Sequence, residues 1–210
     1  MNMIKVIMTL CLFMMVATGM ADTPQDKIPA LSSALLHDTR NPVGGNPQGN
    51  VTLVEFFDYQ CSHCREMANT VETLRAVNPN LRVVYKDWPF SGPNSVYAAK
   101  AGLAAAIQGK YEVFHDALMK ASLPLTNNEV LAIAKSVGID TARLQRDMAN
   151  SAFDGVFKAN EQLAKELQLV GTPAFIIAKT NGADKNSSFL VPDISSQGVL
   201  QGMITQASGF

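Results

Sequence analysis

The chain has 210 residues, of which 47% are hydrophobic, and it carries 17 basic and 18 acidic side chains. This length suits one domain with room for an insertion, and the hydrophobic content is sufficient for a substantial core. The charges nearly balance and form no strong run of either sign, so nothing in them favours binding to nucleic acid or to an anionic membrane surface.

The first 21 residues have the pattern of a secretory signal peptide. Lys5 precedes an apolar stretch over residues 6–16, and small residues ending at Ala21 precede a polar segment. The alternative is a membrane anchor, but the apolar stretch is shorter than the roughly 20 residues that a span needs. We therefore expect export and cleavage after Ala21, which would also remove Cys11.

The predicted elements after this segment are a β-α-β unit, a run of helices and a ββα unit. In chain order we predict a tail and loop over residues 22–50 with a short helix at 29–37 and a turn-rich loop at 41–50, a strand at 51–57, a helix at 62–77, a strand at 81–85, helices at 95–108, 111–121, 127–137, 141–148 and 151–167, strands at 174–178 and 188–191, and a closing helix around 199–204. Apolar runs rich in β-branched and aromatic residues indicate the strands, and apolar side chains at helical spacing indicate the helices.

This order predicts the fold class. A strand, a helix and a strand in succession favour a parallel pair with a right-handed crossover. Without the helices at about 93–150, the βαβ and ββα units make the thioredoxin arrangement. We therefore predict an α/β thioredoxin fold over residues 51–210, with a central mixed sheet and an inserted helical bundle at about 93–150.

Cys61 and Cys64 stand where the first strand gives way to a helix. The start of a helix offers unpaired N–H groups and the positive end of the dipole, and both favour a thiolate. We expect Cys61 to be the acidified nucleophile and Cys64, in the first helical turn, to be the less exposed resolving thiol. A Cys61–Cys64 disulfide closes too short a loop to stabilise the fold much, so we expect it to form and break as chemistry.

A zinc site is the alternative for these cysteines. Such a site needs about four ligands, and the histidines at His37 and His115 lie in ordinary helical segments. We therefore expect neither a metal nor another cofactor.

Two charged residues accompany the predicted strands. Glu55 lies inside the first strand, where burial would raise its pKa and favour the neutral form. In that state it can relay a proton to or from Cys64; the alternative is a solvated Glu at the sheet edge. Lys86 follows the second strand, and we expect it either to pair with Glu55 or to be a plain surface lysine.

Three motifs together carry a family resemblance. They are Glu55-Phe56-Phe57 at the strand end, Cys61-Ser62-His63-Cys64 at the helix start and Gly171-Thr172-Pro173-Ala174-Phe175 before a later strand. Over about residues 41–208 the chain resembles the DsbA-like branch of the thioredoxin superfamily. The loop at 41–50 and the run Phe57-Asp58-Tyr59 look closest to a subgroup of exported members that includes multimeric oxidoreductases.

The resemblance implies roles for individual residues. Cys61 and Cys64 match the redox pair, Glu55 matches a buried acid, and the His63 ring is expected to add a donor or positive charge. Ser62 stands where the best-known motif of the family has proline, which leaves the redox potential open.

The loop at Thr172 and Pro173 matches the one that carries a cis-proline. A cis bond there would present the Thr172 backbone to a substrate peptide beside Cys61. From the sequence alone a trans bond is the commoner state, since only about 5–6% of X–Pro bonds are cis. Thr172 also replaces the valine of the family's oxidases, and threonine is frequent in its isomerases and reductases.

We therefore expect a periplasmic thiol–disulfide oxidase. The resemblance implies reduced or misoxidised exported proteins as substrates and a DsbB-like membrane quinone reductase for reoxidation. A disulfide isomerase or reductase is the alternative, and a non-catalytic chaperone or binding module is a remote one. Residues 22–40 are short for an oligomerisation module, so we expect a monomer and leave open a dimer through this tail.

Overall fold

The structure, a computed structural model, describes residues 23–209. The predicted signal peptide and its cleavage after Ala21 therefore lie outside the described residues. Within residues 23–209, no helix is both long enough and apolar enough to cross a membrane.

Helices and strands follow the predicted order, with one additional short strand between the first predicted helix and the first predicted strand. The strands are β1 (Val43–Gly45), β2 (Val51–Phe57), β3 (Leu81–Asp87), β4 (Ala174–Lys179) and β5 (Phe189–Val191). The helices are α1 (Ile28–Leu36), α2 (Ser62–Val77), α3 (Pro93–Ile107), α4 (Tyr111–Lys120), α5 (Asn127–Ser136), α6 (Thr141–Asp147), α7 (Ala152–Glu166) and α8 (Gln197–Ser208).

The five strands form one mixed sheet in the order β1-β3-β2-β4-β5. β2 and β3 are parallel and are connected by α2, whereas β1 on β3, β4 on β2 and β5 on β4 are antiparallel. The helices α3 to α6 follow β3 and precede α7. This topology confirms the predicted α/β thioredoxin fold with inserted helices.

The sheet is covered by hydrophobic layers on both faces. Leu53 and Phe57 of β2 face the layer that includes side chains of α2, α8 and the inserted helices. Val54 and Phe56 face the opposite layer, to which α1 and α7 contribute. All seven residues of β2 are buried, as expected for a strand covered on both faces. The loop that carries Cys61 therefore leaves a firmly packed strand.

The segment predicted as a tail and loop folds against the sheet. α1 buries Ile28, Leu35 and Leu36 in the layer that it shares with α7. The turn-rich segment at 41–50 contains β1, which pairs with β3. We did not predict β1, because it has three residues and two of them are glycines.

Candidate active site

Cys61 and Cys64 lie at the start of α2, directly after the loop that follows β2. Cys61 is the N-cap of α2, and its N–H donates to the Asp58 carbonyl at 3.0 Å. Both cysteines are free thiols; Cys61 is partly exposed and Cys64 is buried. A substrate sulfur can therefore reach Cys61, whereas Cys64 is shielded from solvent.

The surroundings of Cys61 favour its thiolate. A hydrogen bond from the Cys64 thiol, together with the Thr172 side chain and the backbone N–H groups of Cys64 and His63, lowers the pKa of Cys61 to about 5 in spite of partial burial. Those N–H groups belong to the first turn of α2, where they have no partner within the helix. Burial and the neighbouring Cys61 raise the pKa of Cys64 far above its ordinary value. At neutral pH one sulfur is an anion and the other holds a proton.

The loop before β4 lies against Cys61. The Thr172–Pro173 peptide is cis, and the Thr172 carbonyl oxygen accepts a hydrogen bond from Cys61 Sγ at 3.2 Å. This carbonyl stabilises the protonated thiol. The Thr172 hydroxyl acts in the opposite direction: it is buried, it has no hydrogen-bond partner among the described residues, and its side chain lowers the pKa of both cysteines.

Ser62 and His63, between the two cysteines, are exposed. His63 Nδ1 lies 3.8 Å from Asp193 Oδ1, in the segment between β5 and α8, and both side chains are more than half exposed. An exposed pair at this separation contributes little energy. The His63 group that acts on Cys61 is the backbone N–H.

The buried carboxylate of Asp58, for which no role was predicted, organises the loop before α2. Asp58 accepts hydrogen bonds from the N–H groups of Gln60 (2.8 Å), Phe90 (3.1 Å) and Ser91 (2.9 Å) and from the Ser95 hydroxyl. It thereby joins the β2–α2 loop to the β3–α3 loop. Three of these donors lie 32 to 37 residues further along the chain, so local sequence gave no signal for the cluster.

Arg65 is a second residue without a predicted role. Its Nε and Nη2 donate to the Tyr59 carbonyl at 3.1 and 2.8 Å, beneath the loop that leads to the cysteines. In the sequence it resembles any arginine on the outer face of a helix, because its partners are backbone carbonyls that only the fold brings together.

Glu55 is a buried acid in β2. Its side chain is opposite Tyr85 of β3, and the residue is 1% exposed. Burial raises the pKa of Glu55 to about 8, with Arg75 lowering it and Asp116 raising it. One of its oxygens has no hydrogen-bond partner, and within residues 23–209 no hydrogen bond joins its carboxyl to Cys64. Glu55 is thus buried and not solvated at an edge, but it makes no hydrogen bond to Cys64, the thiol with which it was expected to exchange a proton.

The expected pairing of Lys86 with Glu55 is wrong. β3 continues to Asp87, so Lys86 lies inside the sheet and is opposite Phe56. Side chains of successive strand residues point to opposite faces, which places Lys86 and Glu55 on different sides. Lys86 Nζ donates to the Ala34 carbonyl at 2.8 Å, and burial lowers its pKa to about 8. Since it is fully buried, it is not a surface lysine either.

His115 is a core residue. Its Nδ1 lies 3.1 Å from the Tyr59 hydroxyl, and burial lowers the pKa of its ring to about 3. The ring is therefore neutral at physiological pH. Among residues 23–209, no group of three or more His, Cys, Asp or Glu side chains converges as metal ligands would.

Comparisons with known proteins agree with this geometry. A family profile described as the DSBA-like thioredoxin domain matches residues 52–201. The chain is similar to the crystal structure of a thioredoxin-like oxidoreductase from Silicibacter pomeroyi, with 42% identity, a TM-score of 0.76 and coverage of 85% of this chain and 98% of that one. It is also similar to the thiol–disulfide exchange protein alpha-DsbA2 from Wolbachia pipientis, with 25% identity, a TM-score of 0.78 and coverage of 87% and 95%.

Curated relatives are longer proteins. The chain is 26% identical over 159 residues to the Na⁺/H⁺ antiporter NhaA 3 of Salinispora tropica and 27% identical over 161 residues to NhaA 1 of Salinispora arenicola. Each match covers 75% of this chain and 24% of the antiporter. The chain therefore spans about a quarter of the length of the curated relatives it matches.

Proposed function

The chain belongs to the DsbA-like thioredoxin family of thiol–disulfide oxidoreductases, and we propose that it is an exported oxidase that donates a Cys61–Cys64 disulfide to folding proteins. The observation that supports the proposal is an accessible Cys61 whose pKa is lowered to about 5 beside a buried partner. An environment that stabilises the thiolate favours the reduced form, so the disulfide becomes more oxidising.

The reaction is two successive exchanges. A substrate thiolate attacks Cys61 Sγ of the disulfide form, a mixed disulfide forms, and Cys64 leaves as a thiolate. A second substrate thiolate then attacks the substrate sulfur of the mixed disulfide and releases Cys61 as a thiolate. The substrate loses two electrons and the protein gains them. Because a thiol of low pKa is a good leaving group, the environment of Cys61 favours this second step.

The thiolate of Cys64 needs a proton after the first exchange. Cys64 is buried and its pKa is raised strongly, so it does not remain an anion. We propose Glu55 as the reservoir of that proton, since burial keeps its carboxyl largely protonated at neutral pH. Ser62 and His63 supply the exposed surface beside the reacting sulfur, and the N–H groups of His63 and Cys64 stabilise its thiolate. Thr172 and Pro173 form the edge along which the substrate backbone lies.

Location and partners follow from this function. We propose a periplasmic protein that acts on reduced or misoxidised exported proteins and is reoxidised by a DsbB-like membrane quinone reductase. We propose a monomer, because α1 is packed on its own sheet and is not free to serve as an oligomerisation stalk.

A disulfide isomerase is the second candidate, and the Thr172 side chain favours it. Its hydroxyl is buried beside both sulfurs, where the family's oxidases have valine. Sedimentation combined with refolding of a scrambled substrate distinguishes the two activities. A monomer that cannot rescue scrambled disulfides excludes the isomerase.

Titration of the purified disulfide form against a glutathione series tests the oxidase proposal. We expect a potential well above the roughly −270 mV of cytosolic thioredoxin. A potential near that value would instead indicate a reductase. The Cys61→Ala variant, measured in parallel, should be inactive in oxidative refolding; retained activity would indicate a chaperone or binding module.

A further inference from the structure

Asp58 builds the turn that ends at Cys61. Its Oδ1 accepts the N–H of Gln60 at 2.8 Å, and its main-chain carbonyl accepts the N–H of Cys61 at 3.0 Å. The first hydrogen bond makes an Asx turn, and the second closes a β-turn over the same residues. Together they fix the direction in which the chain enters α2, and with it the position of Cys61 as the N-cap.

The same carboxylate ties this turn to the next loop. Oδ2 accepts the N–H groups of Phe90 at 3.1 Å and Ser91 at 2.9 Å, and Oδ1 also accepts the hydroxyl of Ser95. Ser95 lies in the first turn of α3, whose N-cap Gly92 has no side chain that could accept a hydrogen bond. Asp58 thus supplies, from another segment, the negative charge that the start of a helix favours.

The other two residues of the turn are anchored as well. Arg65 donates to the Tyr59 carbonyl and also to the Leu118 carbonyl at the end of α4. The Gln60 amide makes two hydrogen bonds to the main chain of Leu125, at 2.7 and 3.2 Å. Asp58 differs from both, because its side chain forms the turn and anchors it at the same time.

The charge of Asp58 does not explain its place beside the redox pair. It is buried three residues before Cys61, and a carboxylate near a thiolate disfavours that thiolate. Its hydrogen bonds, in contrast, hold the chain that carries the sulfur.

We propose that Asp58 is a positioning residue of the redox centre: its carboxylate fixes the turn that directs Cys61 Sγ toward the first-turn N–H groups of α2 and clamps this turn to the β3–α3 loop. The proposal rests on the proposed function, because the alignment of those N–H groups with the sulfur is what makes Cys61 reactive at neutral pH.

Other titratable groups near the turn stay in place when Asp58 is replaced. They are Cys64, His63 and Arg65 on α2, Asp87 at the end of β3 and Asp193 beside His63. Burial is the largest cause of the raised pKa of Asp87, and the charge of Asp58 is a smaller one. Asp87 therefore stays protonated in variants of Asp58.

The experiment compares Asp58→Ala and Asp58→Ser with a matched control, Asp184→Ala. Asp184 forms the same pair of turns: its Oδ1 accepts the N–H of Asn186 at 2.8 Å, its main-chain carbonyl accepts the N–H of Ser187 at 3.3 Å, and its carboxylate also accepts a serine hydroxyl. It lies in the loop after β4, at the end of the sheet opposite the redox loop, since β4 is antiparallel to β2.

Four measurements are made on the dithiol form or its redox equilibrium. Amide hydrogen exchange at Gln60, Phe90 and Ser91, followed by NMR, reports the hydrogen bonds to Asp58 directly. The rate of Cys61 alkylation by iodoacetamide from pH 3 to 8 reports the environment of the sulfur. Urea denaturation gives stability, and glutathione titration gives the redox equilibrium.

In Asp58→Ala we expect faster exchange at these amides and a rise of the alkylation midpoint by about one pH unit. The redox equilibrium at pH 7 should then shift about tenfold toward the disulfide. Removal of the charge alone would lower the midpoint, so the direction of the shift separates positioning from charge. Asp184→Ala should leave the midpoint unchanged.

Asp58→Ser separates positioning from stability. Its hydroxyl can accept the Gln60 N–H and restore a weaker turn, but it is too short to reach the β3–α3 loop. We expect it to lose as much stability as Asp58→Ala while its alkylation midpoint rises less than half as far. A purely structural role would make the two quantities change together.

Three results would overturn the proposal: a midpoint that falls or stays constant in folded Asp58→Ala, an equal rise in Asp184→Ala, and a rise in Asp58→Ser as large as that in Asp58→Ala. If Asp58→Ala does not fold, the direction of the shift in Asp58→Ser decides. Unprotected amides at Gln60, Phe90 and Ser91 in the wild type would overturn it without any variant. A wild-type midpoint above neutrality would instead contradict the proposed function, whatever the variants show.

Discussion

Replacement of Lys86 by Met should stabilise the protein at neutral pH and leave its redox chemistry intact. The Lys86 side chain is completely buried, and its ammonium donates to the Ala34 carbonyl. Burial lowers its pKa from 10.5 to about 8, and one pKa unit corresponds to about 1.4 kcal/mol. Retention of the charge inside the protein at pH 7 therefore costs about 3 kcal/mol.

Methionine removes that charge and keeps a similar volume. It leaves the Ala34 carbonyl without its donor, which costs about 1 kcal/mol, so the expected net gain at pH 7 is about 2 kcal/mol. The pH dependence is a sharper signature. Between pH 8 and about 10.5, native Lys86 has lost its proton while the unfolded chain still holds it, so wild-type stability rises with pH across this interval. The methionine variant lacks this rise.

Urea denaturation of both proteins in the dithiol form, at pH 7 and at pH 10, measures the two effects. The gap in free energy of unfolding should be largest at pH 7 and close by pH 10. A methionine variant that is less stable at pH 7, or a gap that persists at pH 10, would refute the assignment of a buried charge whose desolvation is only partly compensated. The pH profile of Cys61 alkylation is the control. It should be the same in both proteins, because Lys86 lies on the sheet face opposite Glu55.

Three further outcomes are expected. A change from pH 7 to pH 6 should slow alkylation of Cys61 by only about a tenth, given its pKa of about 5, whereas an ordinary thiol slows about tenfold; a tenfold decrease here would contradict the thiolate assignment. Thr172→Val removes the buried hydroxyl, so the alkylation midpoint should rise by about half a pH unit, and an unchanged midpoint would show that the hydroxyl does not act on the sulfur. In Glu55 the native pKa of about 8 lies above the ordinary 4.5, so wild-type stability should fall as pH rises between these values. Glu55→Gln should abolish that fall, which urea denaturation at pH 5 and pH 8 detects; a fall that survives in the variant would assign the pH dependence to other groups.

The parts of the fold that could be predicted are those whose signal lies within a short stretch of the sequence. The strand that leads to Cys61 is a continuous apolar run, and the helix after it has apolar side chains at helical spacing, so both were placed from the sequence. The redox pair followed from its position between them. β1 was missed, because the sequence Val43-Gly44-Gly45 has no strand signal of its own and pairs only once β3 is in place.

The sequence could not predict the register of the paired strands or the hydrogen-bond partners that lie far along the chain. Whether Lys86 and Glu55 share a face of the sheet depends on which residue lies opposite each of them in the parallel pair. A shift of this register by one residue would reverse the answer. The acceptors of Arg65 on α4 lie more than 50 residues along the chain. The donors to Asp58 from the β3–α3 loop are similarly remote, so the loop architecture around the dithiol was recognisable only in three dimensions.

The docking of α1 sets a limit on how far the N-terminus of this protein can be trimmed. Proteolysis or engineering that removed residues through Leu36 would expose the hydrophobic sheet face that α1 covers and would leave the donors of Arg82 and Lys86 without their carbonyl acceptors. Such a shortened chain would keep both cysteines, but its exposed apolar surface would make it aggregate. The sheet that supports the redox centre thus depends for its cover on α1, a helix that carries neither cysteine.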